Sequence, residues 1–134
     1  MRTHFNPKNN PRVIIIQKLY GKFYNVDDNL DFPKHRFKKF IKDIVTGTIE
    51  RNDLIIDELN TELGDDFVFE NLDKVFQTIL KAATYEFMYK PQLSLNIIIK
   101  EYLNSSNFFL ENSQTKYLNA LLDNVGKKLR SKNA

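Results

Sequence analysis

The chain has 134 residues, 20 Lys and Arg against 17 Asp and Glu, 42% hydrophobic residues, no Cys and no Trp. That length suits one compact domain with its own core. The composition excludes wholesale disorder, low-complexity architectures, disulfide frameworks, thiolate zinc sites and cysteine nucleophiles.

The elements follow from apolar spacing, which is helical almost throughout. Residues 1–10 read as a flexible basic arm, with Asn10 as an N-cap and Pro11 at the first helical position. Val13, Ile16, Leu19, Tyr20, Phe23 and Tyr24 then share one face of a helix reaching about Asn25. An acidic connector leads to Pro33, expected to open a second helix carrying Phe37, Phe40, Ile41, Ile44, Val45 and Ile49. Asp53 is expected to cap a third, with Ile55, Ile56, Leu59 and Leu63 inward, and Gly64 to end it. Asn71 is expected to cap a helix of Leu72, Val75, Ile79, Ala82, Ala83 and Phe87. Ser94 starts the next, and a last helix follows Asn112 and Ser113, carrying Tyr117, Leu118, Leu121, Leu122, Val125 and Leu129. The fold class is therefore all-α, a bundle of six to seven helices. Residues 11–134 are expected to form a single helical domain.

Charge is unevenly placed along these elements. Residues 1–24 and residues 34–42 each hold five bases and no acid, whereas Asp43 to Asp73 holds ten acids and one base. From Lys74 onward nine bases face four acids. Such blocks suit a dipolar molecule with one face for a polyanion; they also suit ordinary solvated helix surfaces. The chemical inventory is sparse. His4 and His35 lack a second ligand at metal spacing, the four glycines are isolated, and Asp27-Asp28 and Asp65-Asp66 lack calcium-loop spacing. The expectation is a protein that is not an enzyme and needs no cofactor or metal. No apolar run approaches the ~18 residues of a membrane span, and a cytoplasmic setting is expected.

Specific motifs sharpen this. The chain reads Ile79-Leu80-Lys81 to Tyr85-Glu86, then Pro91, then Ile97-Ile98-Ile99-Lys100-Glu101, and finally Ser113 through Lys116-Tyr117-Leu118-Asn119-Ala120 to Asp123. Order and spacing together resemble the NusB family of bacterial transcription antitermination factors. Upstream, Gln17-Lys18-Leu19-Tyr20 and the Phe40–Gly47 segment resemble the family more weakly, so the likeness covers about residues 8–130. The resemblance implies two packed helical subbundles, at about residues 11–64 and 71–130, that bind boxA-type single-stranded RNA together with NusE, a protein of the small ribosomal subunit. It further implies association with the transcription elongation complex, notably on ribosomal RNA operons. Monomer and homodimer both stay open.

By the same resemblance the RNA-binding residues are Arg2, Lys8, Arg12, Asn112, Ser113, Lys116, Tyr117 and Asn119. The family's arm is arginine-rich, and here only Lys8 and Arg12 stay basic at matching positions, with Asn9 and Asn10 between them. Arg12 suits bidentate phosphate contact, and Arg2 and His4 reach toward the backbone from the arm. Tyr117 supplies a ring for base stacking or else packs beside Leu118 and Leu121; Tyr20 reads as core more than site. Tyr85 and Glu86 match the family pattern, and each also reads as simple packing or solvation. Phe76 stands where the family carries an acid, and Lys100 replaces an Asn, both on helices expected to meet the partner. Two other readings stay open: an accessory domain of a ribosomal RNA methyltransferase, and a helical protein-interaction module without RNA binding.

Overall fold

A computed structural model describes residues 9–25, 30–65 and 67–132. Among them six α-helices follow in order, α1 Pro11–Tyr24, α2 Lys38–Glu50, α3 Asn52–Leu63, α4 Lys74–Tyr89, α5 Leu95–Ser106 and α6 Asn112–Lys132, with a 3-10 turn at Phe69–Asn71 and no strand. Most of the expected arm, with Arg2, His4 and Lys8, lies outside the described residues, as do Asp27, Asp28 and Asp66.

Local chemistry explains most boundaries. Asn10 caps α1, its side-chain oxygen accepting from the backbone N–H of Arg12 at 2.9 Å and of Val13 at 3.3 Å. Ser94 caps α5 through the N–H of Ile97, and Gly64 ends α3 at φ 85°, a conformation that favours a residue without Cβ. Three expected starts shift. Pro33 does not open α2, which begins five residues later at Lys38. Residues 33–37 instead form an irregular turn in which the N–H of Phe37 donates to His35 Nδ1. Asp73, and not Asn71, caps α4 through the N–H of Val75, because Asn71 is taken up in the 3-10 turn. At α3 the cap position is Arg51, with no side-chain cap bond, so Asp53 lies inside the first turn.

Helix α4 packs against all five other helices. Every residue from Phe76 to Phe87 is buried, which is why its polar members Gln77, Thr78, Lys81, Thr84 and Glu86 are interior groups. A helix buried all round is the axis of the bundle, not a one-faced surface element. Its buried side chains join those of the other helices, from Ile15 in α1 to Leu129 in α6, in one continuous core. At the far end Arg130 of α6 donates to the carbonyls of Phe87 at 2.8 Å and Lys90 at 3.2 Å, satisfying carbonyls at the end of α4 that have no helical partner.

Candidate nucleic-acid interface

The start of α6 presents the expected residues to solvent. Asn112, Ser113, Lys116, Tyr117 and Asn119 are all exposed. Helical spacing sets Leu118, Leu121 and Leu122 inward and turns Tyr117 outward. Tyr117 is 48% exposed, and its ring stacks on Phe76 of α4 with centroids 5.4 Å apart and planes 29° from parallel. Phe76 is only 3% exposed, so one face of Tyr117 rests on a buried ring. A platform so held loses little entropy when a base settles on it. Among the described residues Lys116, the position before Tyr117, forms no ion pair.

A groove opens next to this platform, with a volume of about 370 Å³, lined by Ile16, Gln17 and Tyr20 of α1, Val75 of α4 and Phe109 before α6. Tyr20 is 39% exposed and lines this groove, a correction to its reading as core. Val75 precedes Phe76 on α4, so groove and platform adjoin. Gln17 and Tyr20 belong to the Gln17–Tyr20 segment, which was the available sequence signal; Val75 and Phe109 carried none.

Arg12 behaves differently from the other expected contacts. It is buried, and its guanidinium donates from Nη2 to Glu86 Oε1 at 2.6 Å and from Nε to Oε2 at 3.1 Å. The Tyr102 hydroxyl donates to the same carboxylate, and the rings of Phe40 and Tyr102 lie 5.0 and 5.3 Å from the guanidinium carbon. Burial would lower the Arg12 pKa, but Tyr102 and Glu86 outweigh it and hold the group above its ordinary value. Burial, reinforced by the Glu86 charge, pushes the Tyr102 hydroxyl well up. Assigning Arg12 to phosphate is thus corrected: the bidentate geometry that suited it to phosphate is used on a buried carboxylate. Glu86 is fully buried and does not solvate.

Comparison with known proteins settles the family. The sequence model of the NusB family matches residues 10–127. The chain belongs to the NusB family. It is 31% identical over 93 residues to the transcription antitermination protein NusB of Sphingopyxis alaskensis, an alignment covering 69% of this chain and 62% of that protein. The protein of the same name from Novosphingobium aromaticivorans is 33% identical over 91 residues, covering 68% and 62%. The chain thus spans about three fifths of the length of these relatives. In fold it matches T. maritima NusB with a TM-score of 0.79 at 20% identity, over 96% of each chain. NusB relatives are named for transcription antitermination, which is not an enzymatic activity. Two departures from the NusB pattern now have positions. Phe76 is the buried backing of Tyr117 and not a partner-facing residue, whereas Lys100 is exposed on α5.

Proposed function

We propose that this chain is a transcription antitermination factor that binds boxA-type single-stranded RNA together with NusE, helping RNA polymerase keep elongating, notably on ribosomal RNA operons. It acts as a cytoplasmic binding protein. The observation that carries the reading is the exposed Tyr117 ring backed by the buried ring of Phe76, on the same helix turn as the exposed Lys116. Single-stranded RNA is bound by stacking its bases on such rings and pairing its phosphates with nearby cations. Asn112, Ser113 and Asn119 add donors and acceptors for base edges, and the adjoining groove at Gln17 and Tyr20 extends the surface. Arg2 and Lys8 are retained as phosphate contacts; Arg12 serves to hold α1 against α4 and α5.

Fluorescence anisotropy of a boxA-like RNA, with and without NusE and across a salt series, tests this. Sequence-preferring binding that Tyr117→Ala and Lys116→Ala both weaken is expected, with the fold unchanged by circular dichroism. Absence of such binding with NusE present overturns the reading.

A further inference from the structure

The basic stretch at residues 34–42 is not used by the interface described above. Its five cations, Lys34, Arg36, Lys38, Lys39 and Lys42, are all exposed, and none forms an ion pair among the described residues. Lys38 and Lys39 contribute nothing favourable to α2, since cations in a first turn oppose the helix dipole. Beside them lies a cavity of about 310 Å³, with Ile14, Phe32, Pro33 and Ile41 supplying an apolar floor and Lys18, Lys34 and Lys38 among its walls. Asp31 compensates Lys18 at 3.1 Å, and among the described residues no acid pairs with Lys34 or Lys38. In the same turn Phe37 is 39% exposed, with the Arg36 guanidinium carbon 5.2 Å from its ring centre.

We infer that this cavity and its lysines form a second contact for single-stranded nucleic acid, taking one base into the apolar floor while Lys34 and Lys38 hold the flanking phosphates. Three features favour a nucleic acid over other anions. An apolar recess of this size suits a single flat ring, a row of exposed cations suits a repeating polyanion, and Phe37 offers another stacking face. The contact is continuous with the α6 platform through α1. Ile14 and Lys18 of that helix line the cavity, Gln17 and Tyr20 line the groove beside Tyr117. At 100° per residue Gln17 and Gly21 lie on the solvent-facing arc between the two sides. A strand leaving the platform therefore crosses about one helix diameter, ~10 Å, over an arc that Gly21 leaves low.

This inference rests on the RNA-binding reading, and the experiment separates the two. The full chain is titrated with a boxA-like RNA, bare or carrying a single-stranded extension on either side, and 4-thiouridine versions are photo-cross-linked and mapped by mass spectrometry. An extension is expected to raise affinity roughly tenfold. The Lys34→Ala/Lys38→Ala variant loses that gain, lowers the salt slope by about 1.4, at ~0.7 for each phosphate released, and leaves the bare RNA unaffected. Cross-links in the 30–42 peptide accompany the gain. Cross-links confined to the 112–119 peptide, with no gain from either extension, overturn the inference and leave the α6 reading intact. Cross-links confined to 30–42 support the inference and overturn the α6 reading; none in either peptide overturns both. Lysine-dependent sedimentation with phosphatidylglycerol vesicles, without any extension effect, assigns the patch to a membrane surface and also overturns the inference.

Discussion

Arg12 and Glu86 show how one contact changes the meaning of a residue. A cation near the start of the chain suits phosphate until a carboxylate 74 positions later closes on it inside the bundle. Removing one partner of a buried pair strands the other charge, so Glu86→Ala is expected to cost about 3–5 kcal/mol, read as a lower urea midpoint. Arg12→Ala is expected to destabilise in the same way, and its effect on RNA binding tracks the loss of fold. Lys81, on α4, is the second buried cation of the bundle. Its ammonium lies 3.6 Å from the centre of the Phe23 ring, with Tyr24 and Phe69 rings at 5.8 and 5.6 Å. Burial lowers its pKa to about 8 against a smaller opposing pull from Asp53. The unfolded chain then binds more protons than the folded one between about pH 8 and 10.5, so this group favours folding increasingly across that window. The melting temperature of Lys81→Met minus that of the parent should accordingly fall as pH rises from 8 toward 10. A flat difference would show that Lys81 keeps an ordinary pKa.

Helix α4 illustrates what spacing does and does not reveal. Its periodicity located the helix and several core positions, but one-faced reasoning leaves Lys81 and Glu86 outside, where charged residues usually sit. Only the arrangement of five helices around α4 makes every face an inner face. Two glycines mark how closely the helices approach it. A Cβ on Gly47 of α2 would collide with the Tyr85 ring, and one on Gly126 of α6 would collide with Leu95 and press on Phe87. Gly47→Ala, despite its better helix propensity, is expected to destabilise by about 1–3 kcal/mol through overpacking, measured by chemical denaturation.

Across the molecule, several charge blocks that look opposed in the chain neutralise one another. Lys132 at the end of α6 pairs with Glu58 at 3.1 Å and Glu62 at 2.6 Å on α3, Lys90 pairs with Asp43, and Lys18 with Asp31. Among the described residues, the cations left without such partners include Lys116 and the 34–42 stretch. Nucleic-acid affinity should therefore depend on a few residues more than on the net charge of +3. For bare boxA-like RNA, Lys116→Ala is expected to lower the slope of log K against log salt by about 0.7, whereas Lys127→Ala, whose charge is paired with Asp123, leaves it nearly unchanged.

The helical class, the stops at Gly64 and before Pro91, the caps at Asn10 and Ser94, and the family likeness were legible in the residues. Each depends on neighbours within a few positions, or on the order of motifs along the chain. The outward turn of Tyr117 rests half on that local order. Spacing set Leu118, Leu121 and Leu122 on one side, but the ring that supports Tyr117 comes from Phe76, 41 positions earlier. Which cations stay free, which lie buried, and which apolar residues close around a cavity depended on contacts between distant segments. Sequence spacing carries no distance across the core, and so Arg12 and Lys34, alike as basic residues in acid-free stretches, came to opposite ends: one sealed against Glu86, the other left facing solvent.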